Sequence, residues 1–185
     1  MSGLTAKIDL TKKGDSNPVE IKQLMATLKW TSADDFDLAA VYVKNNGECG
    51  LIYYGNQGSL ASFPYMSLDE DAGVGATAGD NEENLRISKI SDIKEIYLVC
   101  WDFEAAKVSK PANFKNSDVR LSIKDQNGNE IEAHLVVEGF DYNATAVAKI
   151  KVNSAMGIGE MVNISKGFVL TTNSDNGKDI LNKIK

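Results

Sequence analysis

Residues 37–54 read DLAAVYVKNNGECGLIYY, and this segment is a clear indication of strand structure. Two apolar runs, at 37–44 and 50–54, flank the sequence Asn45-Asn46-Gly47. Asparagine and glycine tolerate the positive φ angles that a tight hairpin turn requires. The stretch therefore predicts two antiparallel strands joined by a short turn.

Strand signals recur along most of the chain. A second hairpin is predicted from 119–124 to 130–137, with its turn at Asn127-Gly128-Asn129. In residues 24–30 apolar and polar side chains alternate, which places one set on a buried face. Further strands are predicted at 4–10, 85–90, 95–101, 143–152 and 161–170.

About nine or ten short strands, with turn signals roughly every 8 to 12 residues, are typical of a β-sandwich. The predicted fold class is all-β: a two-sheet antiparallel β-sandwich with a short C-terminal helix. We expect a sandwich domain at 1–172 and a helical appendage at 173–185, with Ser174 as a candidate N-cap. All three prolines are expected in connections, because proline interrupts a sheet ladder: Pro18, Pro64 and Pro111.

Composition limits the function classes. The chain has 185 residues, 43% hydrophobic and 25% charged, which suits one ordinary soluble domain. A formal net charge of -6 argues against nucleic acid as a partner and against diffuse attraction to anionic membranes. The sequence shows neither a leader pattern nor the roughly 18 consecutive apolar residues of a spanning helix, so we expect a cytoplasmic protein without integral membrane association.

Histidine and cysteine are scarce. His134 alternates with glutamates on its predicted strand and is expected to face water. Two cysteines, Cys49 and Cys100, are too few for a multi-cysteine zinc site, and we expect both to be reduced structural thiols. Carboxylates and hydroxyls are therefore the main chemical groups in supply.

Acidic side chains are concentrated in two places. Residues 69–83, DEDAGVGATAGDNEE, carry a formal charge of -6, and residues 34–37, DDFD, add three more carboxylates. Because the whole chain carries -6, the remainder is net positive. Clustered like charges destabilise a fold unless a cation compensates them, so we expect a positive group near these segments.

Calcium suits that role, because it takes about 6 to 8 oxygens from carboxylates, amides, carbonyls and water. Glycines at 73, 75 and 79 allow the loop to turn and bring Asp69 and Asp71 toward residues 80–83. The loop is not an EF-hand, since its sixth position is not glycine and its twelfth is Asp80. A solvated acidic loop without metal remains open as an alternative.

Several segments, in the same order along the chain, resemble those of a known family. They are LTKKG at 10–14, Trp30 with DFDLAA at 35–40, GDNEENL at 79–85, and NF, DVRL and NGNEI at 113–114, 118–121 and 127–131. On these motifs the chain is similar to the TerD-like tellurium-resistance stress proteins over most of residues 4–165. The resemblance implies a calcium-binding β-sandwich that acts in bacterial stress response and in metalloid or phage resistance, without an established catalytic reaction.

The resemblance also implies a ligand set. The family's acidic pair corresponds to Asp35 and Asp37, its acidic loop corresponds to residues 80–83, and two further acids lie earlier in that loop. The candidate calcium ligands are Asp35, Asp37, Asp69, Asp71, Asp80, Asn81, Glu82 and Glu83.

Three functional hypotheses follow. The leading one is a calcium-dependent binding or scaffold module for protein partners, with no catalytic residues. The second is a metal-free interaction domain in which the acidic loop serves solubility. The third is a carboxylate-based hydrolase, which would need aromatic side chains around its acids; candidates are Tyr53, Tyr54, Phe63 and Tyr65.

Overall fold

The computed structural model describes residues 6–69, 79–136, 138–171 and 176–185. Its strands are β1 (Lys7–Leu10), β2 (Ser16–Glu20), β3 (Leu24–Trp30), β4 (Phe36–Lys44), β5 (Cys49–Ile52), β6 (Gly58–Ser59), β7 (Met66–Leu68), β8 (Asn81–Ile87), β9 (Ile93–Asp102), β10 (Arg120–Asp125), β11 (Glu130–His134), β12 (Ala144–Asn153) and β13 (Ile158–Phe168). The helices are α1 (Phe103–Lys107) and α2 (Gly177–Ile184), with one 3-10 turn at Phe114–Asn116.

The strands form a two-sheet β-sandwich, which confirms the predicted fold class. One sheet has seven strands in the order β1-β11-β10-β3-β8-β7-β6, and the other has six in the order β2-β13-β12-β9-β4-β5. The pairing is antiparallel except between β1 and β11, which run parallel. Both predicted hairpins are present, as β4 with β5 and β10 with β11.

The main core lies between the two sheets. Alternating apolar side chains of β3, β8 and β10 meet those of β4, β9 and β12. Phe114 is fully buried and stacks between Phe36 and Tyr142, with ring centroids 5.1 and 5.5 Å away. Burial of such side chains contributes about 1.5 to 3 kcal/mol each, and this supplies most of the stability of the sandwich.

A second apolar cluster covers the outer face of the six-stranded sheet. The residues of α2 that pack there are Ile180, Leu181 and Ile184. The helix was predicted, but its N-cap is Asn176, which forms a capping box with Asp179. Ser174, the predicted cap, lies outside the described residues. Neither α1 nor α2 has the length and apolar character needed to cross a membrane.

Two local features differ from the sequence analysis. Pro18 lies within a strand, β2, and not in a connection. Pro18 has no backbone N–H to donate. Because β2 forms an edge of the six-stranded sheet, this absence breaks no hydrogen bonding between interior strands. Helix α1 was not predicted either, since its five residues are too few to show helical periodicity.

Candidate functional site

The two acidic segments lie against each other at one end of the sandwich. Strand β3 pairs with β8 so that Trp30 is opposite Asn81, and the turn after β3 therefore lies beside the residues that enter β8. The Gly79 amide donates to the Thr31 carbonyl at 3.1 Å, and Asn81 Nδ2 donates to the Ser32 carbonyl at 3.4 Å. We call the region formed by residues 31–38, 79–83 and Asp102 the acidic end.

Glu83 connects the two sheets within the acidic end. Alternation along β8 directs Glu83 to the same side as the buried Leu85 and Ile87. Its Oε2 accepts a hydrogen bond from the Leu38 amide of β4 at 2.5 Å. The pairing of β4 with β5 runs from Ala40 to Val43, so the carboxylate binds β4 beyond the end of that pairing.

Asp37 is a buried carboxylate with a specific donor. It is 8% exposed and lies opposite Trp101 in the pairing of β4 with β9. The indole Nε1 of Trp101 donates to Asp37 Oδ2 at 2.7 Å. A buried carboxylate is costly unless hydrogen bonds compensate it, so the indole N–H holds this charge in place.

The neighbouring aspartates are held through backbone atoms. The carbonyl of Asp34 accepts from Trp30 Nε1 at 2.8 Å, and the carbonyl of Asp35 accepts from the Phe103 amide at 2.8 Å. These bonds tie the turn before β4 to the end of β9. The acidic residues of the turn are therefore placed beside α1.

Asp102 belongs to this region, although it was not predicted. Its carboxylate is the N-cap of α1 and accepts from the Ala105 amide at 2.9 Å. Burial raises the pKa of the Asp102 carboxyl, and the negative charges of Asp34 and Glu104 raise it further. The sequence contained one signal for this role. Asp102 comes directly before the segment FEAAK, and an aspartate before a helix is a typical N-cap.

The pKa of the buried Cys100 thiol is affected by the same negative charges. Burial raises the pKa of this thiol well above its usual value. The negative charges of Glu83, Asp37 and Asp102 raise it further. Carboxylates from three different strands therefore act electrostatically on the same buried thiol.

Two other predicted ligands pair with basic side chains. Asp69 forms an ion pair with Arg86 at 2.9 Å, and Glu82, whose side chain alternates to the outer face, approaches Lys29 at 3.9 Å. Asp80 is exposed, and Asp71 lies outside the described residues. Within the described part of the chain, the three-residue group close enough to share one metal ion lies elsewhere and includes none of these carboxylates.

Trp101, the hydrogen-bond donor to Asp37, lines an aromatic cavity of about 340 Å³ on the outer face of the six-stranded sheet. Its lining includes Tyr53, Tyr54, Trp101 and Phe103. Burial raises the pKa of the Tyr54 hydroxyl, and the nearby charge of Asp37 adds to that shift.

The other two aromatics that a hydrolase could use lie elsewhere. Phe63 packs edge-on against Tyr42 at 5.5 Å, and Tyr65 lies beneath the Lys89 ammonium at 4.5 Å. Only half of the predicted aromatic set therefore lines this cavity.

The fold and this site define a β-sandwich with carboxylates gathered at one end and an aromatic cavity beside them. The sequence matches no protein-family model, and no curated protein matches it. The resemblance to the TerD-like proteins therefore stays a prediction, based on the segments quoted above.

Proposed function

We propose that this chain is a calcium-binding β-sandwich that acts as a binding or scaffold module. The observation that carries the proposal is the hydrogen bond between the Glu83 carboxylate and the Leu38 amide. It joins the exit of the acidic loop to the aspartate-rich start of β4, two segments that lie far apart in the sequence.

The donor atoms of the acidic end suit a hard cation. Carboxylate, amide and backbone oxygens are all present in this region, and Ca²⁺ takes about 6 to 8 such oxygens at about 2.3 to 2.6 Å. Asp37 and Glu83 each give one oxygen to a protein donor, which fixes the orientation of the whole carboxylate. The nearby Cys100 thiol is kept protonated by its raised pKa, so it does not favour a thiophilic metal.

Electrostatics also favour a bound cation. The raised pKa of Asp102 shows that burial and neighbouring negative charge disfavour ionisation at this end. A divalent cation would relieve both costs. At a free calcium concentration about 100 times Kd, binding adds roughly 2.7 kcal/mol to the free energy of unfolding.

A binding role is supported by the cavity that Trp101 lines. Calcium at the acidic end would fix the positions of Asp37 and the turn before β4, and through Trp101 it would act on the cavity wall. We place the protein partner on this surface. The resemblance to TerD-like proteins extends the proposal to a cytoplasmic role in stress response and metalloid resistance.

The test compares calcium binding and thermal stability in the wild type and three variants, two of which replace neighbouring glutamates of β8. After treatment with chelator, the wild type, Glu83→Gln, Asp37→Asn and Glu82→Gln are titrated calorimetrically with Ca²⁺ and Mg²⁺ and melted with and without Ca²⁺. Glu83→Gln and Asp37→Asn should lose most of the calcium-dependent rise in Tm. Glu82→Gln is the matched control, because its side chain lies on the opposite face of the same strand, and it should keep that rise.

Identical wild-type melting midpoints with calcium and with chelator, together with no heat of binding, would contradict the proposal. That result would favour the metal-free interaction domain. If Glu82→Gln and Glu83→Gln lose equal parts of the calcium-dependent rise in Tm, calcium binding depends on the total negative charge and not on this site.

A further inference from the structure

A histidine and two carboxylates meet on the outer face of the seven-stranded sheet, on β1 and β11, which are separated from β8 by β10 and β3. The parallel pairing of β1 with β11 places Asp9 directly opposite Glu132, and His134 follows two residues later on the same face of β11. One possible ligand atom from each of the three residues lies within 4.8 Å of the other two. His134 Nε2 is 3.2 Å from Glu132 Oε1 and 3.6 Å from Asp9 Oδ1.

The imidazole nitrogen at the centre of this group has no hydrogen bond. Nε2 of His134 is buried and lacks a hydrogen-bond partner among the described residues, although two carboxylates lie within 4 Å of it. A buried polar atom without a partner is costly, which requires an explanation at this position.

The distances from His134 Nε2 to the two carboxylates match the spacing of ligand atoms around a zinc ion. Zinc binds histidine nitrogen at about 2.0 to 2.1 Å and carboxylate oxygen at about 2.0 to 2.2 Å, so neighbouring ligand atoms lie about 3.0 to 3.5 Å apart. The two separations from His134 Nε2 agree with that spacing to within a few tenths of an ångström. An ion placed between the three residues would also engage the unpartnered nitrogen.

We propose that Asp9, Glu132 and His134 form a site for a divalent first-row transition metal ion, with Zn²⁺ as the representative. The imidazole ligand favours zinc, iron, nickel or copper, whereas calcium prefers oxygen alone. Asp9 and His134 have half-exposed side chains, so water completes the coordination. Lys7, 3.5 Å from Glu132 Oε2, balances the charge of Glu132 on the side away from His134.

The site joins two distant parts of the chain. Strand β1 has four residues and forms an edge of its sheet, where it pairs with β11. A metal ion held by Asp9 from β1 and by two residues of β11 would fasten this edge strand. Bound metal should therefore slow amide hydrogen exchange in β1 and leave exchange in the central strands unchanged.

The experiment is a calorimetric titration of untagged protein with Zn²⁺, with parallel titrations of Ca²⁺ and Mg²⁺. The wild type should bind one Zn²⁺ at this site, and His134→Gln and Asp9→Asn should weaken that affinity at least tenfold. Glu130→Gln is the matched control, because it removes a carboxylate from the same face of β11 while leaving the three ligands intact, and it should stay within twofold of the wild type.

A second readout does not depend on variants. His134 is the only histidine of the chain, so its imidazole NMR signals are unambiguous. Zinc should shift them. Unshifted His134 signals at saturating zinc, or equal affinities in the wild type and His134→Gln, would overturn the proposal. Glu83→Gln should keep zinc binding and His134→Gln should keep calcium binding, so the two proposed sites fail independently.

Discussion

The two tryptophans provide a direct test of how the acidic end is held. Both indoles are buried, at 5% exposure for Trp101 and 6% for Trp30. Trp101 Nε1 donates to the Asp37 carboxylate at 2.7 Å, whereas Trp30 Nε1 donates to the neutral Asp34 carbonyl at 2.8 Å. Replacing each with phenylalanine removes one N–H and a similar amount of packing.

The expected difference follows from the charge of the acceptor. A hydrogen bond to a neutral acceptor contributes about 0.5 to 1.5 kcal/mol to stability, and one to a charged group contributes about 1.5 to 3 kcal/mol. Since the packing losses are similar, Trp101→Phe should reduce the free energy of unfolding by roughly 1 kcal/mol more than Trp30→Phe. In an Asp37→Asn background the acceptor is neutral, and this excess should largely disappear.

The assay is urea unfolding at pH 7 in the presence of chelator. Unfolding is monitored by far-UV circular dichroism, because each variant lacks one of the two tryptophan fluorophores. Calcium-binding titrations of the same variants show whether the anchored carboxylate matters for the metal. Equal losses in Trp101→Phe and Trp30→Phe would refute the reasoning. An excess that persists in the Asp37→Asn background would do so as well.

Two further predictions concern carboxylates whose pKa shifts have opposite signs. At Asp125, burial opposes ionisation, but hydrogen bonds from Asn129 and from the Asn127 amide outweigh burial and lower the pKa of the carboxyl. The stability that the ionised Asp125 contributes is therefore present above the unfolded pKa and is lost as pH falls through the folded pKa. Asp125→Ala should therefore cost about 1 to 3 kcal/mol at pH 7, and urea titrations should show the difference from the wild type shrinking below about pH 4. Asp102 has a raised pKa, so wild-type stability falls as pH rises from the ordinary aspartate range through the folded value. Asp102→Asn keeps the acceptor for the Ala105 amide without the charge, and thermal melts in chelator should show it more stable than the wild type at pH 7, with the difference closing as pH is lowered; a less stable variant at pH 7 would contradict this.

The local structure of this chain follows from short-range signals. The Asn-Gly turns, the alternation in β3 and the apolar runs of β4 and β9 were enough to predict both hairpins and the all-β class. These signals suffice because turn geometry and side-chain alternation depend on residues only a few positions apart. Helix α1 and edge strand β2 were missed because each is too short for periodicity to show.

The candidate calcium ligands were predicted from clustered charge and from the family resemblance, and neither shows which way a side chain points. Strand β8 begins at Asn81, whereas the prediction began at residue 85, so residues 81–83 were assigned to a loop. Within a strand, neighbouring side chains point to opposite faces. Glu83 therefore reaches β4, while Glu82 faces outward toward Lys29.

By itself, then, the sequence determined the strand-rich architecture, the main turns, the C-terminal helix and the two places where carboxylates accumulate. Which of these groups are neighbours depends on how the strands pair in the folded chain. The pairing of β3 with β8 brings the acidic segments together, and the pairing of β1 with β11 brings Asp9 beside His134. Such pairings depend on burial summed over whole sheets, so no local pattern around Asp9 or His134 could have revealed them.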